Sequence, residues 1–274
     1  KRVLKGEMRM NTISKTAQIA KTAIICDGVT IGENVVIGEG VWIDQGCIIR
    51  DNVRIGKNSR IGARCILGEY LQNFYTTLHN HKHPLVIGEN ALIRSDTIIY
   101  GDTVIGADFQ SGHRVTIREQ TKIGDHVRIG TLSDIQGYCV LEDYAHLHSN
   151  VHIAQQSKIH SFVWLFPYVV LTNDPQPPSM ETCGVEIDEY AVVSTGSVVL
   201  PGVHIGRDAL IGAASVVTRD VQAETVAFGN PAKPRGSVRE IKNKEGNSAY
   251  PWPLNFSRGM PWDGIGYEIW ENRI

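Results

Sequence analysis

From Ile87 to Leu171 an aliphatic residue returns at every sixth position: Ile87, Ile93, Ile99, Ile105, then Ile117, Ile123, Ile129, Ile135, Leu141, Leu147, Ile153, Ile159, Leu165 and Leu171. Only Ser111 interrupts the series. Four residues after each runs a second register of small or β-branched residues, Ala91, Thr97, Thr103, Val115, Thr121, Val127, Ser133, Cys139, Ala145, Val151, Ser157 and Val163, with Phe109 the large exception. A helix returns its apolar face at 3.6 residues and a half-buried strand at 2, so a sustained period of six is neither. It marks a short strand and a turn, repeated, each repeat sending one large and one small side chain inward. One repeat buries almost nothing; stacked repeats share a core.

The same period runs from Ile13 to Leu67 and resumes from Ile187 to Val217. With three short strands closing a coil, this makes about ten coils rising by the ~4.8 Å strand spacing, a prism roughly 45 to 50 Å tall in which residues eighteen apart stack. Ile31, Ile37, Ile55, Ile61 and Leu67 are each followed by Gly, which suggests a corner at positive φ. Two phase breaks mark insertions, one containing Tyr70, Phe74, Tyr75, His79, His81 and His83, the other the Pro-rich run from Thr172 to Ser179. Proline cannot join a sheet ladder, so these segments stand out as loops, where sites are usually built. The expected organisation is an arm over 1–12, an all-β parallel helix over 13–235 with loops at 68–86 and 172–186, and a C-terminal helix and capping tail over 236–274. The helix is placed at Ser237 to Lys244, with Gly246 as its stop.

Hydrophobic residues make up 42% and charged residues 20%, as in a soluble folded protein. A formal net charge of −2 leaves no polyanion footprint, which disfavours nucleic acid as partner. No apolar run reaches membrane-spanning length and no signal peptide opens the sequence, so no membrane partner is expected. Of five cysteines, Cys47, Cys65 and Cys139 fall in the small inward register and read as reduced core fillers, consistent with the cytoplasm.

On these residues the chain resembles the hexapeptide-repeat acyltransferases over roughly Ile13 to Arg235. That resemblance implies a left-handed parallel β-helix, typically assembled as a homotrimer with sites between subunits; the usual right-handed crossover rule would point the other way. Gly229-Asn230-Pro231-Ala232-Lys233 looks like the closing motif of members that use acetyl-CoA. Thr172-Asn173-Asp174-Pro175 ahead of Pro177-Pro178-Ser179 is similar to a loop of N-acetyltransferases acting on nucleotide-linked amino sugars, including the dTDP-3-amino-3,6-dideoxyhexose enzymes. The implied reaction is acetyl transfer from acetyl-CoA to the amine of a nucleotide-linked sugar, with no metal, for cell-surface glycan biosynthesis.

An amine attacking a thioester needs an uncharged nitrogen, a place for its proton and donors for the oxyanion. Histidine is the natural acceptor near neutral pH. His148 is the first candidate for base, at a corner where Gly130 and Gly112 precede it at intervals of eighteen; His152, with Asp134 eighteen before it, is second, and His160, stacked on Glu142, is third. An ordinary outward histidine, or proton transfer straight to the CoA thiolate, competes with each. Asn173 suits the amino group because its side-chain oxygen accepts a hydrogen bond without favouring ammonium. Asp174 is assigned to a sugar hydroxyl, and Asn150 and His152 are further substrate-binding candidates; an Asx-turn before Pro175 is the structural alternative to Asp174's role.

Acetyl-CoA is expected near the C-terminal coils, with Gly196 and Ala214 offering backbone groups to its pantetheine and Lys233 and Arg235 meeting its phosphates. Tyr75, in the aromatic loop, is the expected stacking partner of a nucleotide base, with Arg114 or Arg118 on the diphosphate. Two rivals share the fold. A zinc hydrolase of the γ-carbonic anhydrase kind pairs histidines five apart, against spacings of two, four and six among His146, His148 and His152. A non-catalytic scaffold would have no use for the closing motif. An O-acetyltransferase of a sugar hydroxyl is the nearest alternative reaction.

Overall fold

The computed structural model describes residues 10–71 and 83–273. They form two compact units, 1–138 and 139–274. In each unit the hexads become two- to four-residue strands, most of them ending on the inward aliphatic residue, gathered into three parallel sheets. In the first unit Thr12 pairs with Thr30, Gln18 with Val36 and Ile24 with Trp42, a step of 18 residues. Across the first insertion the step widens to 32 while register holds, as in Arg60 with Leu92. In the second unit Val140 pairs with Lys158 and His146 with Trp164; across the second insertion the step is 28, as in Trp164 with Val192.

The inward registers are buried as the period demands, with Ile43, Ile49, Ile93, Leu147 and Leu165 fully covered. Burying a hydroxyl costs free energy unless it is bonded, and the inward serines find backbone carbonyls: Ser59 Oγ donates to Gly56 O at 2.9 Å, Ser157 Oγ to Ala154 O at 2.8 Å and Ser215 Oγ to Gly212 O at 2.6 Å. The Ser111 break is an exchange within one repeat. Phe109 occupies the small position and Ser111 the large one, both buried, and Ser111 Oγ accepts the Arg94 amide at 3.1 Å. The cysteines are free thiols.

The glycine expectation needs correction. Positive φ falls at Gly68 alone among the five; elsewhere it comes three residues after the inward aliphatic, at Asn34 (56°), Gly40 (64°), Asn58 (59°) and Arg64 (58°). Gly32, Gly38, Gly56 and Gly62 are glycines because the next coil crosses close above. A Cβ at Gly56 would lie 2.5 Å from Glu89 N, and one at Gly62 would lie 2.6 Å from Ser95 N.

The C-terminal segment also differs from expectation. In place of a helix over Ser237 to Lys244 there is one 3₁₀ turn, Val238–Glu240, capped by the Ser237 hydroxyl. Before it, Thr225–Gly229 extends the sheet parallel to Leu210–Ile211, and Ala232–Ser237 folds back antiparallel upon it. The remaining tail lies along a sheet face of the second unit. Tyr144, Phe162 and Tyr190 sit at the positive-φ position of successive turns and stack, with ring centroids 5.1 and 4.9 Å apart. Trp262, fully buried, packs on Phe162, while Trp252 meets Trp164 edge-on and donates its indole N–H to Tyr190 O at 2.9 Å. The segment's one α-helix among the described residues is Tyr267–Glu271.

Candidate active site

His148 follows the strand His146–Leu147, its backbone N–H fixed to Leu165 O at 2.8 Å. Its half-buried ring stacks on Phe166, centroids 4.7 Å apart and planes 20° from parallel, with His146 at 5.1 Å and Trp164 at 5.9 Å. These walls desolvate the imidazole and lower its pKa below the ordinary value. The ring is therefore neutral at pH 7, as a proton acceptor must be.

His160 is a different kind of residue. Its Nδ1 lies 3.2 Å from Glu142 and its Nε2 3.0 Å from Glu186, with Asp188 at 4.0 Å and in turn 2.9 Å from His204. Burial opposes the charged ring, but the hydrogen bond to Glu186 and the charge of Glu142 outweigh it and raise the pKa. An imidazolium held between carboxylates is a poor base and a good structural cation. His160, Glu186 and Asp188 also form the one group among the described residues whose ligand atoms lie close enough together for a metal. His152 is half-buried on the strand His152–Ile153 of the second unit, whereas Asp134 belongs to the first, where it accepts the Gln136 amide at 2.6 Å.

At the head of the Pro-rich loop, Asn173 O accepts the Cys183 amide at 2.8 Å, which ties the two ends of the loop. The Asn173 side chain, half-buried, makes no hydrogen bond among the described residues. Asp174 organises the loop itself: its carboxylate accepts the Gln176 amide at 3.0 Å, the Ser179 amide at 2.9 Å and the Ser179 hydroxyl at 2.7 Å. The Ser179 bonds hold its carboxyl below the usual range. The Asx-turn weighed from sequence is therefore present at Asp174. Asn150 sits at a left-handed turn (φ 60°), a conformation asparagine tolerates well.

Arg118 is committed to the buried Glu119 beside it, with bonds of 3.1 and 2.7 Å, so its charge is neutralised in place. Arg114 is exposed at a turn with φ 55°. Tyr75 lies outside the described residues, as do Phe74, His79 and His81; Tyr70 is described, with the Arg50 guanidinium 4.0 Å from its ring centroid. Gly112 is a close-packing glycine, since a Cβ there would lie 2.3 Å from Thr131 N. Gly196 and Ala214 are exposed at positive φ, but their N–H groups are spent on Pro167 O and Thr195 O, both at 2.9 Å. Lys233 and Arg235 are exposed on the antiparallel strand, with the Arg235 guanidinium 5.1 Å from the ring of exposed Phe228.

Sequence reasoning missed the aromatic wall around His148, although the signal was there: eighteen residues after His146 and His148 stand Trp164 and Phe166. It missed Glu186 as partner of His160 because the Pro-rich loop changes the local interval to 28.

Two family descriptions match parts of the chain: bacterial transferase hexapeptide (six repeats) over 34–69, and hexapeptide repeat of succinyl-transferase over 20–45 and 196–219. The dTDP-4-amino-4,6-dideoxy-D-glucose acyltransferase of Escherichia coli is 34% identical over 118 residues, 41% of this chain and 58% of that protein. An acyl-(acyl-carrier-protein)–UDP-N-acetylglucosamine O-acyltransferase of Burkholderia orbicola is 31% identical over 138 residues, 50% of this chain and 47% of its own. The chain thus spans about half the length of the curated relatives it matches. Among solved structures, the UDP-N-acetylglucosamine O-acyltransferase of Moraxella catarrhalis is similar at 24% identity, covering 92% of this chain and 85% of its own with a TM-score of 0.47. No helix among the described residues is long and apolar enough to cross a membrane.

Proposed function

We propose that the chain is a hexapeptide-repeat acyltransferase that moves an acetyl group from acetyl-CoA to the amino group of a sugar carried on a nucleoside diphosphate. The observation that carries this reading is His148, a half-buried imidazole stacked on Phe166 whose desolvation holds its pKa below the ordinary value. The matched E. coli acyltransferase, whose name specifies a dTDP-linked amino sugar, supports the acceptor class.

In this mechanism the sugar amine binds uncharged, with Asn173 accepting one of its hydrogens. The nitrogen attacks the thioester carbonyl and a C–N bond forms while the proton passes to His148. The tetrahedral intermediate collapses, the C–S bond breaks, and the departing thiolate takes the proton from His148 to leave as free CoA. A weakly basic imidazole suffices for an attacking amine, whereas a sugar hydroxyl asks more of its base. Lys233 and Arg235 hold the phosphates of CoA and Phe228 its adenine, beside the closing motif. The active form is a homotrimer that completes each site between copies.

The test is CoA-thiol release across a panel of nucleotide-linked amino sugars. His148→Ala is expected to lower kcat by about 10²- to 10⁴-fold, the usual contribution of a positioned base. Asn173→Ala should weaken both kcat and KM for the sugar with little change in KM for acetyl-CoA. Unchanged turnover in both variants removes the site.

A further inference from the structure

The first unit holds a cleft of about 270 Å³ that the reaction above leaves without a role, lined among others by Trp42, Asp44, Arg60, Gly62, Arg94 and His113. Its construction follows from register. Trp42 and Arg60 are direct partners on adjacent parallel strands, and Leu92 continues the row. Asp44, Gly62 and Arg94 each follow the last residue of those three strands and share one corner of three successive coils. Gly62 leaves that corner floored by backbone, because a side chain there would collide with Ser95.

Trp42 is 45% exposed in a row where burial is the rule one residue on. Its indole N–H donates to Cys26 Sγ at 3.0 Å, which fixes the ring. The Arg60 guanidinium lies 5.9 Å from the indole centroid and is held by a 2.8 Å bond from Nη1 to Gly40 O. Arg94 is anchored by its backbone, its N–H on Ser111 Oγ at 3.1 Å and its carbonyl taking the Cys65 thiol at 3.3 Å. Its guanidinium makes no hydrogen bond or ion pair among the described residues. Neighbouring arginines are neutralised: Arg64 grips Asp96 with bonds of 2.7 and 2.8 Å, and Arg118 grips Glu119. The cleft has one acid, Asp44, with one carboxylate oxygen already on the Gln45 amide at 2.8 Å.

A fixed aromatic face beside two guanidinium groups that no carboxylate neutralises, Arg60 held by a single bond to Gly40 O and Arg94 with no bonded partner among the described residues, is a recognition element for a stacked base with phosphates. We propose that this cleft binds a phosphorylated nucleoside, the base on Trp42, the phosphates on Arg60 and Arg94 with His113 at the rim, and a ribose hydroxyl donating to Asp44. The volume is just under the ~300–1,000 Å³ of sites that enclose drug-sized ligands, which fits a nucleoside whose phosphates trail out toward solvent. Two sources offer this chemistry, the nucleoside diphosphate of the sugar acceptor and the adenosine bisphosphate end of the acyl donor. The proposal itself stands on the cleft and needs neither His148 nor turnover.

The experiment is titration calorimetry of the full chain with dTDP, adenosine 3′,5′-bisphosphate and pyrophosphate, repeated on Trp42→Leu and Arg94→Gln with melting temperatures checked alongside. dTDP is expected to bind, and each substitution to weaken it roughly tenfold, as loss of one stacked base or one charge-assisted bond does. Pyrophosphate should bind more weakly and ignore Trp42→Leu. If adenosine bisphosphate is the ligand whose affinity drops, the cleft stands and its occupant is the acyl donor. Equal affinities in wild type and both variants, or pyrophosphate binding as tightly as either nucleotide, overturn the proposal. Nucleotide binding that depends on Trp42 without turnover on any amino sugar keeps the cleft and discards the acetyl-transfer reading; turnover with a silent cleft does the reverse.

Discussion

Gly32 and Gly196 are glycines for opposite reasons, and single alanines distinguish them. A Cβ on Gly32 would lie 2.2 Å from Asp51 Oδ1, which accepts the Glu33 amide, and 2.8 Å from Asp51 N. Gly32→Ala must therefore move backbone and is expected to cost about 1–3 kcal/mol, as overpacking does. At Gly196 nothing lies within 4 Å but φ is +71°, so Gly196→Ala should cost roughly 1 kcal/mol through conformation alone. Urea unfolding midpoints check both. The Ile-Gly hexads drew attention to the right residues for the wrong reason, since periodicity gives the corner but not the clearance of the next coil. The two histidines oppose each other in pH. His148 has a folded value below the ~6.5 of free imidazole, so the unfolded chain takes its proton first. It is neutral to stability above that value and destabilising below it. His160 has a raised folded value, so its stabilisation is full below ~6.5 and fades as pH rises through that raised value. Melting curves of His160→Gln should therefore fall further below wild type in acid than in base. In kinetics, the acid limb of kcat/KM should lie below the ordinary imidazole range and vanish in His148→Ala.

Strands of two residues cannot hold themselves together, so each element here is defined by what stacks on it. The tail is the clearest case. Trp262 is fully buried although it stands far from any hexad, and Trp262→Ala is expected to cost about 3–5 kcal/mol, as truncation of a buried aromatic does, read as a lowered urea midpoint. The hexads were legible because their period sets burial directly, and the pairing step of 18 followed from it. The tail was not legible, because its aromatic residues have no period and their partners, Phe162 and Tyr190, occupy turn positions where a sequence reader expects asparagine or glycine. Asn173 and Asp174 were found by the loop they share; that one ties the loop ends through its carbonyl while the other caps the turn is decided by a few bond directions no pattern encodes.

At the level of the whole chain, the outward surface carries more apolar side chains than a lone solenoid needs. Ile24 is 60% exposed, Val104 50%, Leu132 50%, Tyr138 55% and Tyr168 61%. Exposed apolar side chains of this kind favour association, and a formal net charge of −2 does little to oppose it. Sedimentation equilibrium is expected to give three times the 30.3 kDa chain mass; a monomer would remove the sites completed between copies. The reversal at Thr225–Gly229 and Ala232–Ser237 has a last consequence. A parallel stack of in-register strands offers its final row of amides and carbonyls to any matching strand, which is how fibrils recruit monomers. Turning the chain back on itself, with Pro234 in the outermost strand, presents the wrong polarity and a missing donor to a would-be recruit. For the sheet it closes, that hairpin hinders further strand addition, in the same residues that carry Lys233 and Arg235.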